Sequence, residues 1–263
     1  MKEGLVDSSH LTVLHSSALA RTNDSNLDYA KKTSHMQFDA TPKIEADETD
    51  FGFHYVAIRQ NGDTRIARVT AFIAPCFIAN ANGDVWLAIV PVSDERCNLY
   101  HVWWDAEKRI GEEPLRSKQL TFVGLDEPTL RKYGMTTDTC DSSAAISIAN
   151  GYRQDRAQQR NGHFTGFDDI TQEDAACSVS SGAIRDRSQE MLSTADIAIS
   201  RLQRCLLAYA RAARDQQEIA ALRADAGSAI AVSGEIGIDE NWRTLVPHHR
   251  IVSSHGARAE RSQ

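Results

Sequence analysis

The stretch that most constrains this chain runs from residue 51 to residue 104. Short runs rich in β-branched and aromatic residues follow one another there, at 53–60, 65–70, 76–79, 85–90 and 98–104. Two of the gaps between them carry the same tripeptide, Asn61-Gly62-Asp63 and Asn82-Gly83-Asp84. An Asn-Gly step supplies the left-handed backbone that a tight hairpin turn needs, so the strands flanking it pair antiparallel. The repeated signal predicts an antiparallel meander.

The flanks are helical or polar. Residues 5–16 read as a short helix. Residues 17–50 are polar, with a Thr41-Pro42 break, and read as a long loop or flap. Residues 105–170 have little periodicity beyond a short exposed helix at 153–160 and the glycine-punctuated loop from Gly162 to Phe167. The pattern turns helical near Gln172, and a long helix is predicted over roughly residues 194–223. Ser193 or Thr194 can cap it. Ile199, Leu202, Leu206, Tyr209 and Ala213 make its buried stripe, and Arg201, Arg204, Arg211 and Arg214 its wet side. Beyond Gly227 the patterning is weak, so the expected division is a domain at 1–225 and a tail at 226–263. A strand-rich middle between helices gives an α+β class, the long helix lying on a curved antiparallel sheet.

Several functions are excluded at this level. The net charge of −7 gives no reason to expect a nucleic-acid partner. No apolar run is long enough to span a bilayer, and residues 1–15 lack the basic and apolar regions of a secretory signal. The five cysteines are scattered, with no C-x-x-C pair, and reduced thiols in a cytoplasmic protein are expected. Phosphate-binding and dinucleotide glycine loops, H-E-x-x-H and G-x-S-x-G are all absent from the sequence.

What remains is the stretch Gly4-Leu5-Val6-Asp7-Ser8-Ser9-His10-Leu11-Thr12-Val13-Leu14-His15. Two imidazoles and a carboxylate with open positions suit non-haem Fe(II). Asp7 and His10 are spaced to meet on one helical face, so Asp7 can accept the free ring N–H of His10. His15 follows His10 by five residues. Both reach one ion only if the helix ends, bends or widens between them. Downstream carboxylates that can complete the set are Asp174 and its neighbour Glu173, then Asp168, Asp169 and Asp186.

These blocks resemble the catalytic domain of the alpha subunit of Rieske non-haem iron ring-hydroxylating oxygenases, in its phthalate dioxygenase and aromatic O-demethylase branch. The first fits the family's Asp-x-x-His-x-x-x-x-His motif. Gln172-x-Asp174 and Ser180-x-Gly182-x-Ile184-x-Asp186-Arg187-x-x-Glu190-x-Leu192 fit its later segment, with Phe164-Thr165-Gly166 in its place, and the resemblance covers about residues 3–215. It implies a mononuclear Fe(II) held by His10, His15 and Asp174, and Asp7 as the bridge to an electron donor on a neighbouring subunit. It implies a helix-grip (START/Bet v1-like) fold, a homotrimer, and O2-dependent hydroxylation or O-demethylation of an aromatic, carboxylated substrate. The family's [2Fe–2S] Rieske domain carries C-x-H and C-x-x-H pairs. This chain has neither, so its electrons are expected from a Rieske domain or ferredoxin outside it, fed by a reductase. The competing expectation is a non-catalytic helix-grip module, binding an apolar ligand or assembling with partner subunits, or an inactive truncated fragment.

Further candidates are Trp86, Trp103 and Arg68 as a substrate pocket. Arg59, Arg65 and Arg68 can recognise a carboxylate, or line a solvated strand face. Asp186, Arg187 and Glu190 read as a structural ion-pair cluster, and His248-His249 as an exposed pair in the tail.

Overall fold

A computed structural model describes residues 1–20, 36, 39–81, 85–105, 107–136 and 145–246. The second turn, Asn82-Gly83-Asp84, the His248-His249 pair and much of the segment read as a flap lie outside these residues. Three short helices open the chain: α1 (Lys2–Leu5), α2 (His10–Leu14) and α3 (Ser16–Leu19). They replace the single helix expected over 5–16. The strands are β1 (Lys43–Glu48), β2 (Gly52–Asn61), β3 (Thr64–Ile73), β4 (Phe77–Asn80), β5 (Val85–Pro91) and β6 (Cys97–Trp103). Next come α4 (Leu115–Val123), α5 (Glu127–Lys132), α6 (Arg156–Arg160), α7 (Ile170–Ser180), α8 (Ile197–Arg214) and β7 (Val232–Gly237).

Among the described residues the seven strands form one antiparallel sheet in the order β1 to β6, with β7 added on β3. The predicted turn at Asn61-Gly62-Asp63 closes β2 on β3, with Asn61 opposite Thr64 and Gly62 at φ 61°. One edge of β3 is shared: residues 71–73 pair with β4, and residues 64–69 pair with β7. The architecture is α+β and consistent with the helix-grip fold.

Two strands were missed by periodicity. β1 lies inside the segment expected to be a loop, and β7 inside the expected tail. Lys43-Ile44-Glu45-Ala46-Asp47-Glu48 is mostly charged because only one face of β1 packs, and Ile44 is its one fully buried side chain. Val232-Ser233-Gly234-Glu235-Ile236-Gly237 buries only Ile236. Strands of so few buried residues carry almost no two-residue alternation. α4 and α5 were missed for the same reason, each burying one or two side chains.

The centre of the sheet, at β2 and β3, is buried on both faces. Phe53, Tyr55 and Ala57 of β2 pack with Phe72, Ile78, Val85 and Leu87, and α8 covers them with Ala198 and Leu202. The alternate residues Val56 and Ile58 pack with Ala67, Val69, Ile236, Trp242 and Val246. β2 therefore reads as a nearly continuous apolar run, as a strand buried on both sides must. Residues 232–246 belong to the body of the fold and close its second face.

α8 keeps most of the expected stripe, with Ile199, Leu206 and Tyr209 against the core, but is shorter than 194–223. Its start is a 3-10 turn, Thr194–Asp196, capped by Ser193. It ends at Asp215, and Gln216 takes a positive φ of 53°. Ala213 is exposed. Arg201 is only partly exposed and pairs with Glu48 of β1.

Candidate metal centre

The site is assembled by the N-terminal helices and α7. Asp7 stands in the turn between α1 and α2, where its Oδ1 accepts the backbone N–H of Ser9 at 2.7 Å. That bond fixes the carboxylate toward α2, and Asp7 Oδ2 lies 3.3 Å from Nδ1 of His10. α2 ends at His15, whose φ of −95° and ψ of 20° leave the helical region. This break permits residues five apart to face one point. The His10 and His15 rings meet edge to face with centroids 5.2 Å apart.

Asp174 comes from the first half of α7. Its Oδ1 is 3.2 Å from His15 Nε2 and 3.7 Å from His10 Nε2. One ligand atom from each of the three residues can be chosen so that all lie within 4.8 Å of one another. Ligands about 2.1 Å from a common ion stand roughly 3–4 Å apart, so the set has only to draw together slightly to hold one. His15 Nε2 is buried and has no aligned hydrogen-bond partner despite its closeness to Asp174. With Asp174 Oδ1 only 3.2 Å away, that nitrogen faces the carboxylate as an N–H when protonated and offers its lone pair to a cation when a metal displaces the proton.

Glu173, the rival ligand in sequence, has a different place. It is buried, and its Oε2 accepts Nδ1–H of His15 at 2.6 Å. Its Oε1 accepts the hydroxyl of Thr165 at 2.5 Å. Each histidine thus has a carboxylate beside Nδ1, hydrogen-bonded at 2.6 Å for Glu173 and His15 and 3.3 Å away without an aligned hydrogen bond for Asp7 and His10, and turns Nε2 toward Asp174. A partner at Nδ1 sets the tautomer and leaves Nε2 free to ligate. Sequence spacing offered no sign of this, because Glu173 and His15 are 158 residues apart.

The charges follow from this packing. Burial by itself depresses an imidazole, but Asp174 and Glu173 outweigh it and push His15 up to about 9. Burial likewise opposes ionisation of Asp174, and His15, His10 and His101 overcome it and hold the carboxyl below its usual range. Asp7 is held low against burial by His10 and by the backbone N–H groups of Ser9 and His10. His101 on β6 shows the reverse balance. Burial pushes it down to about 4 against the pull of Asp174.

The loop Phe164-Thr165-Gly166 holds Thr165 in register. Gln154 binds the Thr165 carbonyl, and the Phe164 N–H donates to Ser17 Oγ at 3.2 Å. Gly166 has φ 74°, and a Cβ there would sit 2.4 Å from the Asp155 carbonyl oxygen. Gly166→Ala is therefore expected to cost about 1–3 kcal/mol. Urea unfolding reads this directly, and an unchanged midpoint would show that the loop is not under this constraint.

The remaining candidates fall elsewhere. Trp86 stacks on Phe77 at 4.7 Å and borders a groove with Ile73 and Leu222, away from Asp174. Trp103 packs edge-on to His101 at 4.9 Å and does not line the cleft beside Asp174. Arg68 and Arg59 are not on a solvated face, since both are buried. Arg68 donates to Ser8 Oγ at 2.9 Å and also binds Asn80. Arg59 donates to the Ser8 carbonyl at 2.8 Å and the Asp39 carbonyl at 3.0 Å. These two arginines lock the turn that carries Asp7 to the sheet. Arg65 donates to the carbonyls of Gly237 and Glu240 and ties β7 down. Asp168 pairs with Lys132, Asp169 is the buried cap residue of α7, and Asp186 accepts the Ser188 N–H. Arg187 and Glu190 do form an ion-pair cluster, together with Arg185 and Glu3.

A family model described as LigXa C-terminal domain like matches residues 1–261. The chain belongs to that family. A curated relative, the phthalate 4,5-dioxygenase oxygenase subunit of Pseudomonas putida, is 29% identical over 221 residues, 78% of this chain and 46% of the relative. The chain thus spans about half the length of the curated relative it matches. Both findings bear out the kinship with the catalytic domain of Rieske oxygenases. Within this LigXa C-terminal-like domain, no helix among the described residues is long and apolar enough to cross a membrane. The described cysteines 76, 97, 177 and 205 are free thiols.

Proposed function

We propose that this chain is the catalytic domain of an aromatic ring-hydroxylating or O-demethylating oxygenase, with mononuclear Fe(II) held by His10, His15 and Asp174. The observation that carries the reading is the convergence of His10 Nε2, His15 Nε2 and Asp174 Oδ1, from segments some 160 residues apart, in a chain of this family. When bound, Fe(II) would supply O2 activation with positions left open for dioxygen and substrate.

The chain's own residues do the rest. Glu173 and Asp7 hold the two imidazoles with Nε2 presented. The buried Thr165 hydroxyl keeps Glu173 oriented. Asp7 lies on an open cleft of about 550 Å³, whose walls include Val13, Phe164 and Arg187. In this reading the cleft receives the Rieske [2Fe–2S] donor of another domain or subunit, supplied by a reductase and arranged in a homotrimer, and Asp7 joins that donor to His10. The relative's name, a phthalate dioxygenase, supports an aromatic carboxylate as the substrate class.

The test is turnover. The iron-loaded chain, given a Rieske donor, a reductase, O2 and phthalate or a methoxybenzoate, is expected to form hydroxylated or demethylated product, and His10→Ala to form none. Equal product from both would sink the proposal. Aromatic binding without turnover and without dependence on iron would favour the non-catalytic module. Glu173→Gln is expected to weaken Fe(II) binding about 10- to 100-fold. Anaerobic titration checks this, and an unchanged affinity would remove Glu173 from the site's support.

A further inference from the structure

One turn of α7 carries four polar side chains in a row, Thr171, Gln172, Glu173 and Asp174, and they serve two different neighbours. Glu173 and Asp174 face the histidines. Thr171 and Gln172 face the end of α4. The Thr171 hydroxyl donates to the Val123 carbonyl at 2.6 Å, and Gln172 Nε2 donates to the Gly124 carbonyl at 2.8 Å. The last carbonyls of a helix have no partner within it, so two consecutive side chains of α7 cap α4 from outside. Gly124 lets them come close. It ends α4 with a left-handed φ of 75°, and a Cβ there would stand 2.5 Å from Gln172 Oε1.

Gln172 sits there at a cost. It is fully buried, and its Oε1 has no hydrogen-bond partner among the described residues. A buried carbonyl oxygen left unpaired is destabilising, so an apolar side chain of the same length would serve packing alone at least as well. What glutamine adds is the bond from Nε2 to Gly124, made two residues before Asp174.

We infer that Gln172 is a positioning residue for the metal centre. By gripping the end of α4, with Thr171 beside it, it fixes the rotation of α7 about its own axis. Asp174 then faces both Nε2 atoms while Glu173 stays on His15 Nδ1. Successive residues of a helix point about 100° apart, so a modest turn of α7 carries Asp174 off the histidines. The inference deepens the oxygenase reading and rests on it for the presence of the ion. The grip itself can be tested without metal.

The experiment compares the wild type with Gln172→Met, similar in length but without the amide, and with Ile236→Val, a loss of packing on the second face of the sheet. Co(II) stands in for Fe(II), because its visible absorption bands report the geometry of its ligands. Gln172→Met is expected to bind Co(II) about tenfold more weakly, with altered bands, while its melting temperature stays within a few degrees of the wild type. Ile236→Val is expected to lower the melting temperature and to leave Co(II) affinity and bands unchanged. If Gln172→Met fails to fold, Thr171→Val removes the companion bond and reads the same grip. Wild-type affinity and bands in the α7 variant overturn the inference, and so does an equal loss in Ile236→Val, which would make the effect one of stability. In the metal-free chain, the amides of residues 174–177 should exchange hydrogen faster in the α7 variant than in the wild type. Unchanged exchange overturns the grip. If the wild type binds no Co(II) while those amides still exchange faster in the variant, the grip stands and the oxygenase reading falls.

Discussion

Asp174→Ala is expected to abolish specific Fe(II) binding. In an anaerobic titration the wild-type chain should saturate with one equivalent, and the variant should require at least about 100-fold more metal. Removing a residue that merely supports a ligand costs about 10- to 100-fold, and Asp174 is expected to be a ligand itself. The variant loses the carboxylate that both Nε2 atoms face, His15 at 3.2 Å and His10 at 3.7 Å. It keeps Glu173, which cannot take over, because its two oxygens are held by His15 and Thr165. Asp174→Glu is the informative companion, since it keeps the charge and moves it about one bond. Partial recovery there would identify a ligand defined by position. Equal Fe(II) affinity in wild type and Asp174→Ala would remove the metal centre altogether.

Trp242→Ala is expected to destabilise the fold by about 3–5 kcal/mol, the usual cost of deleting a large buried aromatic. Trp242 is 2% exposed and packs with Val56, Ile58, Val69 and Ile236 on the second face of the sheet. Its ring N–H donates to Glu45 of β1 at 2.9 Å, and Arg243 lies over the ring while pairing with Asp47. The loss therefore removes apolar packing and one of the donors to Glu45, which keeps Lys43 at 2.9 Å. For a chain of this size a drop in melting temperature of roughly 6–20 °C follows. A shift below a degree would show that residues 232–246 do not close the sheet.

Both predictions turn on residues whose roles were unequally legible. Asp7, His10, His15 and Asp174 stand in recognisable motifs because the proposed metal chemistry limits which side chains can serve and at what spacing. The turn at Gly62 was legible for a similar local reason, since few residues tolerate its backbone. Glu173 beside His15, Arg59 and Arg68 under Ser8, and Trp242 on Val56 left no such mark. Each is a contact between segments far apart in the chain, and no local periodicity encodes it.

The sequence by itself determined the antiparallel meander, the helix that grips it, and which residues are candidates for the metal centre. Its family relationship rests on the same local signals. Only the tertiary structure decided that α2 breaks at His15, that Glu173 pairs with Nδ1 of His15, and that residues 232–246 pack on the sheet. The physical reason is that local signals arise from backbone conformation and the burial of one face. Partnership between polar groups depends on where folding places them, and a buried carboxylate finds its imidazole only when the sheet and α7 have brought both ends of the chain together.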